Sequence, residues 1–389
     1  MGMNDECIDL MYLDPPFNKN KTFTAPVGSS AEGAEFKDIF REEDVKDEWV
    51  RTIEQDYDEL YSLLIGIKSF SNSYNYCYCV YMAIRLLEMQ RILKPTGSLY
   101  LHCDQTMSHY LKLLMDCIFG EKNFRNEIIW CYHAGGASKR YFPRKHDAIL
   151  LYGKNARSSV HNILRIPYRD LYAYQDNHDP SMGIYHPDGK MLHDWWEISY
   201  ISSVAKERTG YPTQKPLGLL ERIITASSNK GDVVLDPFCG CATTCIAAEK
   251  LERQWIGIDV SIKAYELVKE RLAKEVPTDL VRPEPHFTTK PPKRGRSENG
   301  REKKYVYVLS CKEFLDNRYK VGIAKNVESR IQSLQTGLPF DLKIEYTRLT
   351  PYYNDIEKHV LATFTRTREW VQGDLNQIIK SIKNWKPML

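Results

Sequence analysis

No apolar run in the 389-residue sequence approaches the ~20 residues needed to cross a bilayer, and no leader of basic, apolar and small residues opens it. Both absences predict a soluble protein of the cytoplasm. The ten cysteines include no C-x-x-C pair, and Cys77-x-Cys79 and Cys239-x-Cys241 are too tightly spaced for a zinc hairpin. Neither a zinc site nor a disulfide framework is therefore expected. Net charge is also scarce: 54 Lys and Arg face 51 Asp and Glu, so the chain is no general polycation. The basic excess is local, nine Lys or Arg against three acids from Arg125 to Asp170, as a surface following a phosphate backbone would need. The G-x-G-x-x-G of dinucleotide enzymes is missing as well.

What is present is organised around Asp14-Pro15-Pro16-Phe17, which closes the apolar run Ile8 to Leu13. An apolar run ended by an acid and two prolines predicts a buried strand stopping in a rigid turn. Its carbonyls stay free because proline donates no backbone hydrogen bond. In open α/β sheets that carboxyl edge is where ligands bind. Residues 18–75 have little periodicity and are predicted to be a long loop with one or two helices, such as Asp44 to Leu64, of the kind that forms a lid. Apolar residues at helical spacing from Tyr78 to Leu93, the β-like Ser98 to His102 and a helix from Ser108 to Phe119 come next. Residues 124–210, with short β-like runs at Glu127 to Tyr132 and Ala148 to Tyr152, break that rhythm. They interleave Lys139, Arg140, Arg144 and Lys145 with Tyr and Trp around Gly135-Gly136, a mix suited to phosphate contact with base stacking, or to an ordinary aromatic-rich insertion.

The rhythm returns after Tyr211 to Pro216. A helix from Leu217 to Ser227 leads to the strand Asp232 to Leu235. Then comes Asp236-Pro237-Phe238-Cys239-Gly240-Cys241-Ala242-Thr243-Thr244, a turn of small residues opening a helix. The following strand ends in Asp259, and a helix from Lys263 to Lys274 closes the domain. This layout is that of a nucleotide-type site, with Asp259 placed to accept hydrogen bonds from ribose hydroxyls. Packing alone would also account for the turn. Strands alternating with helices predict an α/β fold with a doubly wound, mostly parallel sheet. Residues 277–304 are rich in Pro, Lys and Arg, cannot bury a core, and are expected to be an extended basic linker. Residues 305–389 are expected to form a small α+β domain.

Together, the two motifs resemble those of the β-class DNA amino-methyltransferases over about residues 5–275. The catalytic motif comes first, the cofactor motif last, and the basic-aromatic insertion lies between, which is that class's order. The resemblance implies a circularly permuted Rossmann-like methyltransferase domain over 1–276, with a target-recognition insertion at 124–210. It implies S-adenosylmethionine as cofactor, held by Asp236, Phe238, Gly240, Thr243 and Asp259, with Lys215 in Thr213-Gln214-Lys215-Pro216 helping to close the methionine pocket. It implies double-stranded DNA as partner, with the target base flipped out of the duplex. Phe17 would stack on that base while Asp14 and the carbonyl of Pro15 accept hydrogen bonds from its amino group, Pro16 fixing the turn. Asp-Pro-Pro-Phe looks like the adenine-N6 form, since cytosine-N4 enzymes more often begin the motif with Ser. The expected function is a site-specific DNA adenine-N6 methyltransferase of a restriction-modification system. A cytosine-N4 enzyme, a nuclease–methylase fusion and a non-catalytic DNA-binding protein are the alternatives; a homodimer and a partner restriction endonuclease are compatible with it. Family members usually carry a further strand with an acid ahead of the catalytic strand, and this chain starts too late to contain it. Ala242 stands where many relatives have Gly.

The C-terminal domain resembles the GIY-YIG nuclease superfamily. Val306-Tyr307 matches the end of the first motif and Val321-Gly322 the second; Arg330 follows on a helix from Val327 to Gln335, and Glu357 lies in Ile356-Glu357-Lys358-His359. The resemblance implies that Tyr307 helps to activate water, Arg330 meets phosphate charge and Glu357 holds a divalent ion such as Mg2+. Lys320 replaces the Tyr of the second motif, which leaves a DNA-binding version as open as a cleaving one.

Overall fold

Apart from Asp9, Ile8 to Leu13 is apolar at both alternations, which suits a strand covered on both faces, and it lies near the middle of the largest sheet. The computed structural model describes residues 3–133, 138–167, 186–202, 204–276, 285–288, 304–311, 313, 316–335, 341–350, 352–367 and 370–385. Gly135-Gly136 and most of the linker expected at 277–304 lie outside the described residues. The chain divides into two units, Met1–Asp44 with Ser71–Arg294, and Val45–Phe70 with Gly295–Leu389. Chain order assigns residues 45–70 to the first domain; the structure groups them with the C-terminal residues instead.

In chain order the elements begin with β1 (Ile8–Leu13), β2 (Lys21–Thr24), β3 (Glu35–Asp38), α1 (Asp47–Asp56), α2 (Asp58–Phe70) and α3 (Ser73–Ile92). Next are β4 (Leu93–Cys103), α4 (Ser108–Phe119), β5 (Phe124–Cys131), β6 (His146–Gly153), β7 (Arg165–Ile166), β8 (Lys190–Met191) and β9 (Trp195–Glu197). The first unit ends with α5 (Leu217–Ser227), β10 (Val233–Asp236), α6 (Thr243–Lys250), β11 (Gln254–Gly257) and α7 (Ile262–Glu275). The second continues with β12 (Lys304–Cys311), β13 (Arg318–Ala324), α8 (Val327–Gln335) and β14 (Leu342–Thr350). It closes with α9 (Tyr353–Thr363), β15 (Thr365–Thr367), β16 (Trp370–Gln372) and α10 (Leu375–Asn384).

The first unit has a seven-stranded sheet in the order β11-β10-β1-β4-β6-β5-β9. β11, β10, β1 and β4 run parallel, β6 is antiparallel to both neighbours, and β5 is parallel to β9. The sheet is mostly parallel and interleaved with helices, as the alternating pattern predicts. Leu10 and Tyr12 on one face of β1 join Tyr100, Trp130, Ile149 and Val234 in a core covered by Leu219, Ile223 and Ile224 of α5 and Ala247 and Ala248 of α6. Met11 and Leu13 are equally buried on the other face. Two expectations change. Segment 124–210 supplies three strands of this sheet, because the runs in β5 and β6 bury their apolar residues as sheet strands do. Residues 18–75 are less of a loop than expected: β2 and β3 form a hairpin, and the one or two helices expected around Asp44 to Leu64 are two, separated at Tyr57 (φ −143°, ψ 69°). Among the described residues, no helix is long and apolar enough to cross a membrane.

The second unit has a five-stranded antiparallel sheet, β14-β12-β13-β16-β15. Along β12 the side chains alternate. Val306 and Val308 join Ile356 and Val360 of α9 and Ile378 and Ile382 of α10, while Tyr307, Leu309 and Cys311 pack with Val327, Ile331 and Leu334 of α8. The sheet is thus covered by helices on both faces, and α1 packs beside β13.

Candidate active site

Strand register brings the two motifs together. Met11 pairs with Leu235, and Leu235 with Ile256, so β1, β10 and β11 end in step. The acids that follow, Asp14, Asp236 and Asp259, therefore line up along one carboxyl edge although the first and last are far apart in sequence. This is the edge where parallel α/β sheets bind ligands.

The turn after β1 is fixed from outside. Asn18 and Asn20 adopt left-handed backbone (φ 59° and 55°), which asparagine tolerates better than most residues. Asp38 of β3 accepts the N–H groups of Asn18 (2.6 Å) and Lys19 (3.0 Å). Burial pushes the Asp38 carboxyl up, and those N–H groups oppose the rise. Pro15 is buried, and Asp14, Pro16 and Phe17 are half-buried.

Lys215 makes the closest contact to Asp14, its Nζ 2.5 Å from Oδ2 and 5.4 Å from the centre of the Phe17 ring. The resemblance places Lys215 with the cofactor; the structure seats its ammonium on Asp14 of the Asp14-Pro15-Pro16-Phe17 motif. Behind Phe17 lies His102, with ring centroids 5.7 Å apart and planes inclined by 32°. His102 is fully buried. Its Nδ1 is 2.8 Å from the Tyr12 hydroxyl and its Nε2 is 3.2 Å from Asp147, whose other oxygen accepts from the Tyr132 hydroxyl at 3.2 Å. Burial raises the Asp147 carboxyl, but the hydrogen bond and charge of His102 outweigh it and hold the group below its usual range. Tyr12, His102, Asp147 and Tyr132 carry no role in the sequence reading. The alternation of β4 offered one signal, since it puts His102 on the same face as Tyr100.

The second motif is a knot of backbone and carboxylate bonds. Asp236 is buried and accepts from Thr244 Oγ1 (2.5 Å) and the Phe238 N–H (3.0 Å). Burial pushes its carboxyl up to about 7 against those two bonds, with the negative charges of Asp14 and Asp259 adding to the rise. Asp259 accepts the N–H groups of Gly240 (2.9 Å) and Ser261 (2.8 Å), so it clamps the turn. Burial again raises this carboxyl, opposed by those backbone bonds. Gly240 has φ +50°, and a Cβ there would lie 2.9 Å from Cε1 of Tyr211, so both conformation and space call for glycine. Ala242, in the position many relatives give to glycine, also takes a left-handed conformation (φ 58°) at the start of α6. Thr243 accepts from Arg271 Nη1 at 3.1 Å, and the same nitrogen donates to the Cys241 carbonyl at 2.8 Å. Arg271 on α7, another residue the sequence reading missed, props the turn from behind.

A cavity of about 550 Å³ joins the two motifs; Asp14, Pro15, Pro16, Phe17, Lys215, Asp236, Phe238, Gly240, Thr243 and Asp259 all line it. Such a volume is ordinary for a small-molecule site. Every residue the sequence assigned to the base or the cofactor thus borders one space.

The C-terminal candidates are only partly gathered. Tyr307 and Gly322 are cross-strand partners on β12 and β13, and Arg330 lies on α8, the helix covering the Tyr307 face. Glu357 lies on α9, which covers the opposite face. Among the described residues, no group of three or more His, Cys, Asp or Glu is placed to hold a metal ion.

Residues 8–270 match the profile of the N6_N4_Mtase family, described as DNA methylase, and residues 304–386 match the T5orf172 domain. The chain is 30% identical over 275 residues to the Type II methyltransferase M.HpaI of Haemophilus parainfluenzae, spanning 70% of this chain and 71% of that protein. It is 26% identical over 275 residues to the DNA adenine methyltransferase YhdJ of Escherichia coli (strain K12), spanning 69% and 76%. Among solved structures, the M1.HpyAVI-SAM complex aligns over 69% of this chain and 90% of its own at 20% identity, with a TM-score of 0.36. The cytosine-N4-specific PvuII DNA methyltransferase aligns over 72% and 83% at 14% identity, with a TM-score of 0.41. The family profile runs without a break from β1 into α7, through both motifs that border the cavity, and on that match the chain belongs to the N6/N4 DNA methylase family.

Proposed function

We propose that the protein methylates the N6 amino group of adenine in duplex DNA at a specific sequence, using S-adenosylmethionine. The observation that carries this reading is the single cavity bordered by Asp14 and Phe17 on one side and by the Gly240–Asp259 turn on the other. The residues present suit the cofactor: a glycine turn admits close backbone approach, carboxylates face a cationic ligand, and Phe238 offers an apolar face. Asp236, Phe238, Gly240, Thr243 and Asp259 would hold it. When bound, S-adenosylmethionine supplies an activated methyl group. Phe17 stacks on the flipped base, braced by His102. Asp14 and the Pro15 carbonyl accept the two amino hydrogens, drawing the nitrogen lone pair out of ring conjugation and orienting it for in-line displacement. Lys215 pairs with Oδ2 of Asp14 and thereby holds the carboxylate at the edge of the cavity. Adenine is favoured by the opening Asp of the motif and by the name of the relative YhdJ; a restriction-modification setting with a partner endonuclease is favoured by the Type II relative. Nucleoside mass spectrometry of DNA incubated with protein and S-adenosylmethionine tests the reading. N6-methyladenine is expected. N4-methylcytosine would transfer it to the cytosine alternative, and no methylated base would sink it.

For the C-terminal unit the reading is a GIY-YIG-like domain that touches DNA. It is supported by the Tyr307–Gly322 pairing and by Arg330 on the same face. Lys320 in place of the motif's Tyr, and α9 on the far side, favour contact over cleavage, and Mg2+ at Glu357 belongs to the cleaving alternative. Magnesium-dependent nicking of plasmid DNA that disappears in Glu357→Ala would reinstate that alternative.

A further inference from the structure

The second unit contains a charge pairing that neither methyl transfer nor the sheet's own packing requires. α1 and α2 meet in Glu54-Gln55-Asp56-Tyr57-Asp58-Glu59, four carboxylates in six residues. Cations of the T5orf172 domain converge on this junction. Arg330 Nη1 donates to the Glu54 carbonyl at 3.0 Å and lies 3.5 Å from Asp58 Oδ1. Lys325 Nζ donates to the Tyr57 hydroxyl at 2.7 Å and sits 4.7 Å from the centre of that ring. Lys304, at the start of β12, pairs with Asp56, and both side chains are nearly fully buried. Three cations from three places in the fold (β12, the end of β13, and α8) thus meet one short acidic segment.

A row of cations spaced to meet successive negative groups is also what a phosphate backbone requires. The junction presents carboxylates, a phenol and a carbonyl to them. We infer that the acidic junction of α1 and α2 is a built-in competitor for DNA on the T5orf172 domain: it covers Arg330 and Lys325 until a DNA backbone displaces it from them. The inference rests on the reading of this unit as a DNA-contacting domain. The carboxylates of Asp58 and the phenol of Tyr57 compete directly, while the buried Asp56–Lys304 pair keeps the helices in place.

The test uses the full chain and a short random-sequence duplex. Asp58→Asn is expected to tighten binding about fivefold, the effect of losing a part-exposed ion pair, and to steepen the salt dependence. Tyr57→Phe, which removes only the Lys325 hydrogen bond, is expected to act in the same direction more weakly. Adding Arg330→Gln to Asp58→Asn should abolish the gain; a gain that persists overturns the inference. Amide hydrogen exchange separates the two layers of the argument. DNA is expected to slow exchange over 318–335 and to speed it over 47–70. Slowing at 318–335 with no change at 47–70 would overturn the competitor and leave DNA contact standing. No change in either segment would overturn both.

Discussion

At Asp14 the side chain is the proposed acceptor for the reacting amino group, and its neighbours are set by distant parts of the chain. Asp14→Ala is expected to lower transfer about 10³-fold, the scale of losing a positioned hydrogen-bonding group, while calorimetry still detects cofactor binding. Loss of cofactor binding as well would mean the two sides of the cavity are not separate sites. Asp236 gives a second expectation. Its folded value of about 7 lies above the ordinary carboxyl value, so between about pH 4 and 7 the folded chain holds a proton that the unfolded chain has released. Stability should therefore fall as pH rises through that window, by roughly 4 kcal/mol in all. Denaturant melts from pH 5 to 8 should show the slope in wild type and a flatter one in Asp236→Asn. What could be read at this scale was the local chemistry. Prolines ending a strand, a glycine turn and an acid after the next strand announce themselves in sequence. The Lys215–Asp14 contact spans 201 positions, and Arg271 reaches Thr243 from α7, so both depend on tertiary packing that no local pattern reports.

At the scale of elements, helices and strands were legible where their periodicities are strong: α4 and α5 beside the parallel sheet and α8 in the second unit fall where the sequence puts them. Destination was less legible than type. β5 and β6 read as short β-like runs inside an insertion because aromatic and basic residues surround them, yet they complete the sheet. α1 and α2 read as part of a lid because they follow β1 and its turn, yet they belong with the second unit, where their anchor is the buried Asp56–Lys304 pair. Asp56→Ala would leave the Lys304 ammonium buried without that carboxylate, at a cost of about 3–5 kcal/mol. Thermal melting followed on the second unit should register that loss. The double change Asp56→Leu with Lys304→Met should recover most of it, since an apolar pair removes the buried charge altogether.

For the whole molecule, the sequence reading joins two domains by one linker, whereas the structure interleaves them: residues 45–70 of the second unit lie in chain order between the two parts of the first. A protease site engineered at Gly295 should therefore give fragments that co-elute in native buffer and separate only in denaturant, because one fragment carries α1 and α2 and the other carries the sheet they belong with. Separation under native conditions would refute the interleaving. The same feature bears on truncation: a chain ended in the linker loses only the larger of the unit's two pieces and keeps α1 and α2 without the sheet they group with. The T5orf172 profile spans residues 304–386 alone, whereas α1 and α2 fall within the methylase profile over 8–270, so the second unit is assembled from stretches that two different families describe.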